Sequence, residues 1–149
     1  MRSIIAIQEN QISVEQIKRL EDVIRQIYAE RVGPHKLTIV WNVADTKHTV
    51  TNREWSRSSA CSIAVPNGFQ LDKRQDLLLE LERQWRAVTG QHPDQMSFTA
   101  FDENEMKEVL KGNLARFSPL GRVLFLIRTI VRATRSKRKY GVLISRFNQ

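Results

Sequence analysis

Two hydrophobic periodicities alternate along this chain, and the same succession of them occurs twice. Ile4, Ile5 and Ile7 open with a short apolar run of strand character. Val14, Ile17, Leu20, Val23, Ile24 and Ile27 then recur at helical spacing and form one stripe. Ser13 precedes that stripe as an N-cap, with Gln16 three residues on in a capping-box pattern. Gly33 and Pro34 stop the helix. Leu37 to Val43, rich in β-branched residues and carrying Trp41, is a second strand.

The second round has the same grammar. Ser62 to Val65 is a strand, and Asp72 is placed to cap a helix, with Gln75 at its third position. Leu78, Leu81, Trp85 and Val88 carry the stripe, Gly90 ends it, and Met96 to Phe101 closes as a strand. The correspondence extends to residues. Ser3-Ile4-Ile5-Ala6 returns as Ser62-Ile63-Ala64-Val65, Gln11 as Gln70 and Gln16 as Gln75, all 59 positions later. A repeat of this size is one supersecondary unit used twice. Between the units, Asp45 to His48 has the composition of a turn and Val50 to Trp55 that of a short strand.

Each unit is strand, helix, strand, so its two strands should pair in parallel through a right-handed crossover. The fold class is α/β: tandem β-α-β units, about 3–43 and 61–101, forming a four-stranded sheet with both helices on one face. The other face then needs a cover, which several subunits supply by burying their bare faces together. The alternative cover is the C-terminal extension.

That extension, 111–149, differs in kind from the 1–110 domain. The whole chain has a net charge of +8, and the last 39 residues hold ten Lys/Arg and no acid. Ser118-Pro119 starts a helix. Leu120, Val123, Leu124, Ile127, Ile130 and Val131 give it an apolar stripe interleaved with Arg122, Arg128, Arg132 and Arg135. Tyr140 to Phe147 reads as a last strand added to a sheet edge. Packing on the body or on a neighbouring subunit is favoured over binding of nucleic acid or an anionic membrane surface.

Composition narrows the setting. A single cysteine, Cys61, excludes a disulfide framework within the chain and places it by default in the reducing cytoplasm. It reads as a small packed side chain. The start has no signal-peptide run, and no stretch approaches the roughly 18 apolar residues of a membrane span. No Gly-rich phosphate loop or dinucleotide fingerprint is present, so no cofactor is expected. Ser58 and Ser59 lack a companion base. His35 and His92 occupy equivalent turns without a further ligand cluster, so no metal is expected.

A small chain of two β-α-β units whose sheet demands subunit packing resembles the tautomerase superfamily, and within it the cis-3-chloroacrylic acid dehalogenase branch. The resemblance rests on Ser3–Ile7 with Ile12-Ser13, Leu37–Val43, Ser62–Gly68, Asp76–Val88, and Met96–Phe101 followed by Glu105 to Glu108. It covers about residues 1–110. It implies a trimer and an isomerase, hydratase or dehalogenase-like activity on a small unsaturated or keto carboxylate. Such enzymes use an N-terminal proline as acid or base, arginines to hold the carboxylate, and a glutamate, tyrosine and histidine around the water.

Carried over residue by residue, the resemblance sets Glu108 at the water-activating position and Tyr28 at the place of the histidine. Gln70 and Lys73, with Arg74 adjacent, fall at the arginines, and Phe98 or Thr99 near the tyrosine. Arg2 stands where the proline belongs, behind a Met1 that the bulky second residue should retain. A guanidinium with a pKa above roughly 12 is no base near neutral pH. Arg2, Lys73, Arg74 and Gln70 are therefore candidate anion ligands, helped by the exposed N–H groups of a helix start, and Glu108 and Tyr28 the candidate catalytic pair. Against these stand a solvated acid at 108 and plain surface charge at 73 and 74. The competing function is a non-catalytic trimer of this type whose basic tail binds an anionic partner.

Overall fold

The computed structural model describes residues 1–45, 50–51, 54–55 and 57–146. A central sheet is built from β1 (Arg2–Gln8), β2 (Thr38–Ala44), β5 (Ser59–Val65), β6 (Met96–Asp102) and β7 (Ile144–Arg146), in the order β6-β5-β1-β2-β7. A small hairpin, β3 (Val50–Thr51) with β4 (Glu54–Trp55), stands apart. The proposed turn after Asp45 falls on 46–48, outside the described residues. β1 pairs in parallel with β2, β5 in parallel with β6, and the two units meet antiparallel at β1 and β5. Both β-α-β units are thus present, and the four-stranded expectation grows to five because β7 adds in parallel to the free edge of β2. That last strand is shorter than expected: a helix runs through Tyr140, which leaves Ile144–Arg146 for pairing and Phe147 outside the described residues.

Helix α1 (Val14–Arg31) starts on the capping box of Ser13 and Gln16, as its sequence demands. Helix α2 (Leu71–Thr89) starts two residues earlier than expected: Gln70 is the N-cap, without a side-chain bond, and Asp72 lies in the first turn, where its charge suits the helix dipole. Gly90 ends α2 with φ 72°, a left-handed conformation that costs glycine least. Gln16 Nε2 donates to the Val88 carbonyl at 3.1 Å, and Arg31 pairs with Asp76, so the units are tied helix to helix.

Alternation along the strands places the core between sheet and helices. Ile5, Ile7, Ile39, Trp41, Cys61 and Ile63 point to the helical face and are buried with Leu20, Ile24, Leu81 and Trp85. Trp41 and Trp85 stack with ring centroids 5.8 Å apart, and Phe98 meets Trp85 edge-on at 5.7 Å. The Trp41 indole donates to the buried Glu21 carboxylate at 3.1 Å, and Arg25 pairs with the same carboxylate at 3.2 Å, so neither polar group is buried alone. Ile4, Ala6, Val40 and Asn42 alternate onto the opposite face, where they are only half-buried. Cys61 is a packed core thiol with Ser3 Oγ 3.8 Å away, and burial pushes its pKa up to about 12.

Two further helices follow the sheet: α3 (Glu103–Ala115), capped by an Asp102–Glu105 box, and α4 (Pro119–Tyr140), capped by Ser118. No residue of α4 is buried, although Ser136 Oγ accepts from Ile144 N at 3.1 Å and anchors its last turns to β7. No described helix is long and apolar enough to cross a membrane.

Candidate active site at the chain start

The starts of β1 and β2 lie side by side, Arg2 against Thr38. The Met1 amine donates to the Lys36 carbonyl at 3.0 Å, and the Thr38 N–H donates to the Met1 carbonyl at 3.1 Å. This short ladder fixes one wall of a cleft of about 420 Å³. Ala64 on β5 contributes to a second wall. The third is one face of α3, where residues 103, 106, 107 and 110 follow each other at helical spacing.

The charges converging on this cleft are Arg2, Lys36, Lys107 and Glu103. Glu103 and Lys107 pair across one turn at 3.2 Å. Arg2 and Lys36 have no carboxylate partner among the described residues. Among the described residues no group of three metal-ligating side chains comes together.

Of the candidates read from sequence, Arg2 lies in this cleft and the others lie elsewhere. Tyr28 is buried beneath the sheet and donates its hydroxyl to the Ala64 carbonyl at 2.8 Å. Burial, with the Glu103 carboxylate adding to it, pushes its pKa up to about 12, so at neutral pH it is a proton-bearing donor. Glu108 is on the outer side of α3, 3.7 Å from Lys111. Gln70 and Lys73 are exposed at the start of α2. Arg74 spans three elements: it donates to the Phe69 carbonyl at 2.9 Å, to the Ala100 carbonyl at 3.4 Å and to Asp102 at 2.5 Å.

Lys36, Glu103 and Lys107 were not among the sequence candidates. A signal for two of them exists. Once Asp102 and Glu105 are seen as a capping box, helical phase groups 103, 106, 107 and 110 on one face and sets 108 off it. Lys36 has no such signal, because only the pairing of β1 with β2 brings it to the chain start.

No family model and no curated protein matches this chain. Solved structures do match it in fold. Native Ps01740 is 14% identical over 68% of this chain and 93% of its own, with a TM-score of 0.65. N1, a member of the cis-3-chloroacrylic acid dehalogenase family, is 11% identical over 79% and 93%, with a TM-score of 0.62. A fused 4-OT described as a symmetric trimer is 10% identical over 68% and 85%, also with a TM-score of 0.62. The resemblance read from the repeated strands and caps therefore holds for the fold: the two β-α-β units are arranged as in these solved structures.

Proposed function

We propose that the cleft at the chain start binds a small unsaturated or keto carboxylate and moves a proton or adds water to it. The observation that supports this reading is the convergence of Arg2, Lys36 and Lys107 with one carboxylate, Glu103, at the start of β1. Arg2 and Lys36 hold the substrate carboxylate, and Glu103 serves as the proton acceptor. In water addition, Glu103 takes a proton from water as the oxygen bonds to the substrate β-carbon, and the α-carbon is protonated from solvent, which balances the step. Arg2 in place of a proline removes the usual amine base, so the chemistry passes to the carboxylate. By analogy with the symmetric fused 4-OT trimer, the protein assembles as a homotrimer that covers the bare sheet faces.

Turnover of phenylenolpyruvate and of 3-chloroacrylates by the natural protein tests the reading, with Arg2→Ala and Arg2→Pro in parallel. Arg2→Ala is expected to raise KM at least tenfold. Turnover unchanged in Arg2→Ala, or no turnover together with no binding of either carboxylate, overturns it. The second reading, a non-catalytic trimer with this fold, is favoured by the guanidinium at position 2. It predicts carboxylate binding without product.

A further inference from the structure

The two halves of α4 differ in what they face. In the C-terminal half, Arg132, Arg135, Ser136 and Lys139 share one helical face and line a cleft of about 830 Å³ against the end of β1 and the start of α1. Those cations are thus turned onto the body of their own chain. The N-terminal half leaves its large apolar side chains exposed. Nine large apolar side chains between Phe117 and Val131 are 39–72% exposed. Leu120, Leu124, Ile127 and Val131 follow each other along one side, while Phe125, stacked on Phe117, and Leu126 lie off that line and are also exposed, though less so.

A helix lying on a lipid surface needs one apolar face and one basic face along its whole length. Here the cations instead thin out toward the N-terminal end: residues 117–131 hold Arg122 and Arg128, whereas residues 132–140 hold Arg132, Arg135, Lys137, Arg138 and Lys139. Residues 117–131 carry their two cations among nine large apolar side chains that lie on more than one side. That is the composition of a helix enclosed by protein. Nine bare apolar side chains along one stretch of helix mark an interaction surface, because a monomer ordinarily exposes contiguous apolar patches of only about 300–600 Å². Together with the bare sheet face, where strands of seven residues cover about 400 Å², it approaches the roughly 800 Å² per partner of a stable interface. The acids of the assembly all lie in residues 1–110, and the acid-free segment 111–149 is complementary to them.

We infer that the apolar half of α4, residues 117–131, is an arm buried against a neighbouring copy of this chain. The inference rests on the homo-oligomer read above and adds a contact to it that the sheet faces do not provide. It makes the basic half of α4 the anchor and the apolar half the reach: Ser136, hydrogen-bonded to β7, fixes where the arm leaves its own body.

Sedimentation of the full chain, natural and with Leu124→Glu plus Ile127→Glu, is the test. The natural protein is expected to sediment as an oligomer. The double variant, with unchanged circular dichroism because both sites are exposed, is expected to dissociate at least a hundredfold more readily. An oligomer that the double substitution leaves intact overturns the arm while keeping the oligomer. A natural protein that is monomeric overturns both. A single Leu124→Cys, labelled by a maleimide, separates the occupants. Protection at high protein concentration that is lost on dilution supports a second copy. Protection appearing only with phosphatidylglycerol vesicles overturns it in favour of lipid.

Discussion

The hydroxyl of Tyr28 on α1 donates to the carbonyl of Ala64 on β5 at 2.8 Å, joining the first unit to the second under the cleft at the chain start. Ala64 lines that cleft, and Glu103 on its far wall acts electrostatically on Tyr28. Tyr28 thus positions a wall of the site from below. Tyr28→Phe removes the donor and leaves a buried carbonyl short of a partner. It should lower stability by about 1–3 kcal/mol, read as a shift in the urea midpoint. Catalysis should persist; its abolition with stability intact would place the hydroxyl in the chemistry instead.

Burial makes the fold sensitive to alkali. The Cys61 thiol and the Tyr28 phenol each have a pKa raised to about 12 in the folded state. The unfolded chain gives up these protons at lower pH. Their contribution is therefore whole below about pH 9, the ordinary value for Cys61, and is lost as pH rises toward 12. At about pH 10.5 the thiol alone should account for a loss on the order of 2 kcal/mol. Urea unfolding at pH 8 and at about pH 10.5 measures the slope. Cys61→Ala should flatten it, and an unchanged slope would remove the thiol from the explanation.

The aromatic contact between the units should dominate core stability. Trp85 stacks on Trp41, meets Phe98 edge-on and donates its indole N–H to Gln91 at 2.6 Å. Trp85→Ala is expected to cost about 3–5 kcal/mol. Trp85→Phe keeps most of the stack and loses the hydrogen bond, so it should cost about 1–2 kcal/mol. Equal losses in the two variants would show that the ring stack contributes little.

That contact also marks how far the sequence could be followed. The repeat makes both units, the capping box of α1 and the parallel pairing within each unit legible, because periodicity and punctuation are local, while the start of α2 lies at Gln70 and not at Asp72. It did not disclose the Trp41–Trp85 stack, since the position equivalent to Trp41 is Ala100 and the one equivalent to Trp85 is Gln26. The large residues sit on different elements of the two units and meet only after the units pair. The cleft was harder still. Its walls come from residues 1–2, 36–38, 64 and 103–110. Only Arg2 was reached, because resemblance pointed to the chain start. Arg74 looked like a free cation at a helix start; Asp102 and two carbonyls, all distant in sequence, engage it.

Arg74 is expected to hold structure together. Its guanidinium joins the start of α2 to the end of β6 and to the cap of α3. A fork of three directed donors cannot be reproduced by an ammonium. Arg74→Lys should cost about 1–3 kcal/mol and leave carboxylate affinity within twofold. A large loss of affinity at unchanged stability would return Arg74 to the binding site.

The acid that matters should be Glu103. Both Glu103 and Glu108 belong to α3, but helical phase turns Glu103 into the cleft beside Lys107 and turns Glu108 out to Lys111. A proton acceptor must come within hydrogen-bond reach of the water or carbon acid it serves, and among the described residues Glu103 is the one carboxylate lining the cleft. Glu103→Gln keeps shape and removes the charge. It should lower kcat for any carboxylate turned over by about 10²–10⁴-fold, with KM little changed because the anion is held by Arg2 and Lys36. Glu108→Gln should leave both constants within twofold. Because Gln at 103 also frees Lys107, the variant should bind an unreactive carboxylate at least as tightly as the natural protein. Isothermal titration checks this apart from turnover: weaker binding in Glu103→Gln would mean that the pair with Lys107 builds the anion site, and a kcat loss confined to Glu108→Gln would move the chemistry to the outer face of α3.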